Sequence, residues 1–251
     1  MSPVLLLPLL FGAAFIAGLV DSIAGGGGLI TVPVLLGIGL PPQVALGTNK
    51  LQASFGSGSA MLHFVRAGTV KLADCWSGIL WTALGATLGV WAVQLLDATL
   101  LKQLIPWCLT AIAIYTLFSP RLGSEDVHAR MLPGLFYLLF GLVIGFYDGF
   151  FGPGTGSFWT MALMMLLGYS MMRATATTKV MNFTSNIVAL FFFLSIGQVR
   201  FLEGIVMGIG QFLGARVGSK LVIKRGTGFI RPVFITMVLA LVGRLIYQNF
   251  K

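Results

Sequence analysis

Charged residues are scarce in this chain, and acidic residues are the scarcest of them. Of 251 residues only 9% are charged, with 7 Asp and Glu against 16 Lys and Arg. A soluble globular domain carries about 25% charged residues, so an ordinary soluble enzyme is excluded, as is a disordered chain. The hydrophobic content of 57% and the mean hydropathy of +0.95 instead predict an all-α polytopic membrane protein.

Cysteine is also rare, with two residues in the chain. Cys75 and Cys108 lie in or beside hydrophobic runs without CxxC spacing, so we predict neither a disulfide nor a metal site, and no cofactor. The net charge of +9 lies mostly between hydrophobic runs, as in cytoplasmic loops, which favours a lipid bilayer and not nucleic acid as partner. The N-terminus lacks a basic n-region and an A-x-A cleavage pattern, so we interpret it as the first spanning helix.

What the chain does contain is an internal repeat. The Gly-Asp-Gly-Gly pattern around Asp21 recurs around Asp148, 127 positions later. After a shift of two residues the match resumes, with Lys50 aligned to Lys179 at an offset of 129. We therefore predict a first transmembrane repeat over 1–120, a connector over 121–131 and a second repeat over 132–251.

Each repeat contains about five hydrophobic segments, and the second segment of each is short for a span of about 20 residues. The predicted segments are Pro3–Val20, Leu29–Leu40, Val44–Val65, Cys75–Leu96 and Leu101–Phe118, then Leu132–Tyr147, Phe158–Leu167, Ala174–Ile196, Phe201–Ile223 and Phe229–Tyr247.

An odd number of crossings per repeat predicts two repeats of inverted topology. With the N-terminus outside, eight Lys and Arg fall in inside loops and three fall outside. That bias agrees with the enrichment of Lys and Arg on the cytoplasmic side. If the short segments are re-entrant, the alternative is eight crossings in place of ten.

Glycine-rich stretches interrupt the hydrophobic runs at matching places in the two repeats. Broken helices in inverted repeats commonly form the substrate site at the bilayer midplane, and a helix N-terminus favours an anion. The alternative is that the glycines only permit close packing, which we accept for Gly85–Gly89 and Gly214–Gly218. The predicted binding residues in the breaks are Gly25, Gly26, Gly27, Gly28, Gly152, Gly154 and Gly156.

Asp21 and Asp148 are the acidic residues close to these breaks, and the repeat pairs them. A carboxylate within the membrane is costly and is a functional candidate by default. Three roles stay open: a proton carrier that couples transport, a cap on a half-helix N-terminus, or a residue at the membrane interface.

A second polar group opens the third segment of each repeat. A lysine flanked by neutral donors suits an oxoanion, because the ammonium neutralises charge while hydroxyls and amides fix orientation. The alternative is a lysine that snorkels to the interface. The predicted binding residues here are Thr48, Asn49, Lys50, Thr178, Lys179 and Asn182.

These motifs together resemble the TauE/SafE-type sulfite exporter family of bacterial anion permeases. The stretches AGLVDSIAGGGG, LPPQVALGTNKLQ, GFYDGFFGPGTGSFW and ATATTKVMNF carry the resemblance, which extends over essentially the whole chain. It implies a multi-pass protein of the bacterial plasma membrane that moves sulfite, a sulfonate or a related organosulfur anion. The residues alone indicate only a small anion.

We therefore expect a secondary transporter that works by alternating access and is not an enzyme. An anion channel is the nearest alternative. An intramembrane di-aspartyl enzyme is a more distant one, because the chain has no GxGD sequence and a catalytic dyad needs two unlike surroundings. The sequence leaves open whether the protein forms a homo-oligomer.

Overall fold

The computed structural model describes residues 3–118 and 128–225, and this part of the chain is helical throughout. In the first half, a short 3-10 helix (Leu72–Cys75) leads into the fourth of five α-helices: α1 (Pro3–Ala24), α2 (Gly28–Gly37), α3 (Pro42–Arg66), α4 (Trp76–Gln94) and α5 (Ala98–Phe118). The described helices of the second half are α6 (Pro133–Phe150), α7 (Thr155–Leu167), α8 (Met171–Ser195) and α9 (Phe201–Arg225). The predicted segment Phe229–Tyr247 and most of the connector lie outside the described residues.

Several described helices have the length and apolar composition needed to cross a bilayer, which agrees with a helical membrane protein. They are Leu5–Ile23, Leu72–Gln94, Pro133–Phe150 and Met171–Ser195. The helices α2 and α7 have only 10 and 13 residues, less than the roughly 20 that a full span needs. The helices α3 and α9 have 25 residues each, but polar and charged side chains interrupt their apolar character.

The helix boundaries at the two breaks differ from the sequence prediction. Helix α1 continues past Val20 to Ala24, and α6 continues past Tyr147 to Phe150, so both aspartates lie within helices. Hydropathy ends a segment at a charged residue, whereas the backbone continues its hydrogen bonding wherever a buried charge has a partner. Helix α7 likewise begins at Thr155 and not at Phe158, because glycine and threonine are tolerated in a first turn.

The backbone repeats along with the sequence. Gly25 and Gly152 at the breaks have φ values of +75° and +98°, and Gly39 and Gly168 after the short helices have +91° and +69°. Only glycine adopts this left-handed region readily, so each pair marks the same chain reversal in both halves. The members of these pairs are 127 and 129 positions apart, which are the offsets of the sequence repeat.

The two halves are packed into each other and are not laid side by side. Helix α1 of the first half packs on α9 of the second, and α4 of the first half packs on α6 of the second. These two contacts are equivalent under the repeat. Helices α3 and α8, which are also equivalent, pack directly on each other.

Close helix contact at the glycines confirms the packing role predicted for Gly85–Gly89 and Gly214–Gly218. A Cβ atom on Gly85 or Gly89 would collide with backbone carbonyl groups of α6, and one on Gly214 would collide with the carbonyl group of Phe15. Such surfaces of small residues let two backbones approach within a membrane.

Candidate functional site

The two glycine-rich breaks meet at the centre of the molecule. A Cβ atom on Gly25 would collide with the Cα atom of Gly156, and one on Gly28 would lie 3.0 Å from the Cα atom of Pro153. Backbone therefore crosses backbone with no room for side chains. The crossing brings the N-terminal ends of α2 and α7 together.

Lys50 of the first half binds Asp148 of the second. Its ammonium lies 2.7 Å from Oδ1 of Asp148 and also donates to the main-chain carbonyl oxygen of that residue. The hydroxyl group of Ser185 donates to the other carboxylate oxygen. The side chains of Lys50 and Asp148 are 1% and 4% exposed, so this ion pair is fully buried.

Lys179 of the second half binds Asp21 of the first in the same manner. Its ammonium lies 3.0 Å from Oδ2 of Asp21 and donates to the carbonyl oxygen of Asp21 as well. The remaining carboxylate oxygen accepts from the N–H of Gly27 at 3.2 Å, just before α2 begins. This bond ties the Asp21 carboxylate to Gly27, the residue that precedes the first residue of α2.

The two ion pairs are therefore reciprocal, since each lysine is bound by the aspartate of the opposite repeat. Lys50 and Lys179 occupy the same position in α3 and α8, eight residues after the first residue of each helix. Both lysines are at most 1% exposed, which is incompatible with the alternative of snorkelling to the interface. A buried charge requires this kind of compensation, because an unpaired one costs several kcal/mol.

Neutral polar side chains extend the polar centre. The hydroxyl group of Thr31 donates to Oδ1 of Asn49 at 2.6 Å, and the side-chain amide of Gln52 donates to the same oxygen at 2.7 Å. The Thr31 bond connects α2 to α3, and the Gln52 bond lies within α3. They hold Asn49 in one orientation next to Lys50.

A small cavity of about 30 Å³ lies between the ion pairs and the crossing of the breaks. A cavity needs roughly 10–15 Å³ of such volume for each water molecule, so this one holds about two. Ten of the predicted site residues line it: Asp21, Gly25, Gly28, Asn49, Lys50, Asp148, Gly152, Gly154, Gly156 and Asn182.

The other predicted residues do not line the cavity. Gly26 and Gly27 form the turn before α2, where Gly27 meets Asp21. The hydroxyl group of Thr48 accepts from the N–H of Arg200, and the hydroxyl group of Thr178 lies 3.1 Å from that of Thr160. Lys179 reaches the site through Asp21.

The polar stretch after Lys179 also contains Ser185 and Asn186, and Gln211 lies in an otherwise apolar segment, but the predicted binding residues include none of the three. Asn186 and Gln211 line the central cavity, and Ser185 donates to Asp148. All three have side chains that are 7% exposed or less within helices of mostly apolar sequence. A buried polar residue in such a helix is the signal that could have identified them.

A larger cavity, of about 500 Å³, lies between α6 and α7. Its walls are aromatic and aliphatic, with Phe140, Tyr147 and Phe158 among them, and no charged side chain contributes. It offers no ligands for an anion.

Membrane-length apolar helices around a buried polar centre define the class of this molecule, a multi-pass helical membrane protein. The chain belongs to the sulfite exporter TauE/SafE family, whose sequence profile matches residues 10–245.

Relatives that match over nearly their whole length are named as probable membrane transporters. The chain is 47% identical to a "Probable membrane transporter protein" of Haemophilus influenzae over 97% of its own length and 96% of the relative's. It is 45% identical to "Probable membrane transporter protein YfcA" of Escherichia coli K12, over 98% of this chain and 91% of the relative. A more distant relative is "Probable membrane transporter protein MJ0441" of Methanocaldococcus jannaschii, 26% identical over 95% and 94% of the two chains. No solved structure matches the chain.

Proposed function

We propose that the protein is a secondary transporter that moves a small anion across the bacterial plasma membrane by alternating access. The anion is sulfite, a sulfonate or a related organosulfur anion, as the family's description suggests. One observation carries the proposal: two broken helices meet at a buried centre to which each half contributes one lysine.

In this proposal each lysine binds the anion by releasing its aspartate carboxylate. An ammonium paired with a carboxylate is electrically neutral, and so is an ammonium paired with an anion beside a protonated carboxylic acid. Binding one singly charged anion, such as a sulfonate or hydrogen sulfite, together with one proton therefore leaves the charge of the buried centre unchanged, which avoids the cost of an uncompensated charge. This scheme couples the anion to a proton through Asp21 or Asp148.

The half-helix N-termini add a favourable field for an anion. In the first turn of α7 the N–H groups of Thr155 and Ser157 donate to the carbonyl oxygens of Gly152 and Gly154, so this helix contributes its dipole to the proposed site. At α2 the Asp21 carboxylate accepts from the N–H of Gly27 and would compete there with a bound anion. Asn49 and Asn182 add neutral donors from α3 and α8.

The size of the central cavity supports the proposal of alternating access. At about 30 Å³ it is too small for an oxoanion, so the two halves must move apart on one side to admit a substrate. Equivalent helices pack across the halves, α1 on α9 and α4 on α6, which supports two inverted repeats that rock about the crossing.

The pairing of the two aspartates favours transport over peptide-bond chemistry. A di-aspartyl enzyme needs one carboxyl group to be protonated and the other ionised. Here the two carboxylates have like surroundings, since a lysine ammonium lies within hydrogen-bond distance of each.

The experiment is uptake of radiolabelled sulfite into proteoliposomes, with and without an imposed proton gradient. Loss of one charge-assisted interaction in Lys50→Gln costs about 1.5–3 kcal/mol, which is roughly a 10- to 150-fold loss of apparent affinity. The apparent affinity of Lys50→Arg should fall between those of the wild type and Lys50→Gln, because a planar guanidinium does not reproduce a compact ammonium.

The matched control is Lys102→Gln, which removes a lysine that lies exposed on α5. It should leave affinity unchanged. Uptake no faster than in empty liposomes, across sulfite, thiosulfate, sulfonates and carboxylates, would contradict anion transport. Discrete single-channel currents in a planar bilayer would identify a channel instead.

A further inference from the structure

A second polar cavity, of about 140 Å³, opens at the C-terminal end of α3. The loop between α3 and α4 forms one wall, and the beginnings of α6 and α8 form the others. We call this cavity the vestibule; its lining residues include Lys71, Asp74, Tyr137, Tyr169, Arg173 and Thr177. The site described above uses none of these side chains.

The charge of the vestibule depends on Lys71. This side chain is exposed, and no carboxylate among the described residues forms an ion pair with it. Its equivalent in the second half is Arg200, whose guanidinium lies 3.3 Å from Oε1 of Glu203. The positive charge is therefore available to an anion at Lys71 and already compensated at Arg200.

The equivalent region at the other end of α3 is closed by apolar side chains. The repeat aligns Tyr137, Tyr169 and Arg173 of the vestibule with Leu10, Leu40 and Val44. Leu10 is fully buried in a cluster with Leu35, and Leu40 packs against that cluster. An aqueous anion thus meets a polar opening at one end of α3 and a hydrophobic seal at the other.

The vestibule is larger than the central cavity and lies close to it along α8. Its volume corresponds to about ten water-sized positions, so a small oxoanion fits there, whereas the central cavity of about 30 Å³ holds about two waters. Thr177 is buried and lies two residues before Lys179 on α8, which is about 3 Å along the helix axis but on a different face of the helix. The vestibule therefore ends close to the Lys179–Asp21 ion pair along α8, with the helix itself between them.

We propose that the vestibule is a peripheral anion-binding site, which takes a small oxoanion or sulfonate before it moves to the central lysines. The proposal rests on the proposed transport function. Lys71 supplies the positive charge, the guanidinium of Arg173 stacks on the Tyr169 ring in the wall, and the tyrosine and threonine hydroxyl groups supply neutral donors. Asp74 opposes the anion, so the site is weak, as a site that passes its ligand onward must be.

The test is equilibrium dialysis of purified full-length protein against radiolabelled sulfite under nitrogen. It is carried out in the Lys50→Gln background to weaken binding at the centre. Adding Lys71→Gln should weaken the remaining binding about three- to fivefold, as expected for an exposed ion pair. Adding Asp74→Asn should strengthen it by a similar factor, and Lys71→Arg should restore it.

Arg200→Gln is the matched control, because it removes the equivalent charge at the sealed end and should leave sulfite binding unchanged. Equal effects of Lys71→Gln and Arg200→Gln, no effect of Lys71→Gln, or no sulfite binding in this background would each overturn the vestibule site. Sulfite uptake into proteoliposomes by the wild-type protein decides the transport function separately.

Discussion

The reciprocal ion pairs predict a specific pattern of energetic coupling. Lys50→Gln leaves the Asp148 carboxylate buried without its ammonium, and Asp148→Asn leaves the ammonium buried without its carboxylate. Removing one member of a buried pair typically costs about 3–5 kcal/mol. With about 2–4 °C per kcal/mol for a chain of this size, each single variant should lose roughly 6–20 °C in melting temperature.

The double variant Lys50→Gln/Asp148→Asn removes both charges and leaves two amides that can bond to each other. It should be more stable than the sum of the single effects predicts, with a coupling energy of about 1–3 kcal/mol. The other pair, Lys179 with Asp21, should show a smaller coupling. The Asp21 side chain is 14% exposed, against 4% for Asp148, so water compensates part of its lost partner.

The assay is thermal unfolding of the purified protein in detergent, with the mismatched double variants as controls. Lys50→Gln combined with Asp21→Asn joins residues of different pairs, so its coupling should be smaller than that of Lys50→Gln with Asp148→Asn. Additive effects in both matched doubles, within about 0.5 kcal/mol, would refute the reciprocal pairing. So would equal coupling in matched and mismatched doubles.

Three further predictions concern coupling, packing and topology. Asp21→Asn or Asp148→Asn, whichever removes the proton carrier, should abolish accumulation of labelled anion against a gradient yet preserve its exchange in proteoliposomes; undiminished accumulation in both variants would contradict proton coupling through these aspartates. Gly89→Ala places a methyl group against the carbonyl group of Phe146 and should cost about 1–3 kcal/mol in thermal unfolding, whereas Gly12→Ala, where a Cβ atom has no neighbour within 4 Å, should cost nothing. Cysteines replacing Lys71 and Arg200 should react with impermeant thiol reagents from opposite faces of intact cells, and labelling from one face would contradict inverted repeats.

The helices could be predicted from the sequence because hydrophobic segments in a membrane protein are long and unambiguous. Every described helix overlaps a predicted segment, including the two short ones, α2 and α7. The errors fall at the breaks, where α1 continues past Asp21 and α6 past Asp148. A hydropathy pattern cannot anticipate that a carboxylate stays inside a helix because a distant lysine neutralises it.

The sequence also allowed many residues of the site to be predicted, but not which of them contact each other. The repeat aligns Lys50 with Lys179 and Asp21 with Asp148, which are equivalent residues and not contacting ones. The contacts run between the halves, and no offset along the chain encodes them. The role of the two lysines as anion ligands remains a prediction.

The reciprocal pairing also has a consequence for the synthesis and membrane insertion of the chain. Lys50 leaves the ribosome 98 residues ahead of the aspartate that neutralises it. At about 5–20 residues per second, roughly 5–20 s pass before that partner is synthesised. Placing a lone lysine at the middle of a membrane helix costs about 2.5–3.5 kcal/mol in insertion measurements. We therefore expect the nascent first half to keep α3 at the membrane surface or beside the insertion machinery until α6 is synthesised. We also expect a truncated chain that ends in the connector to be degraded by membrane quality-control proteases.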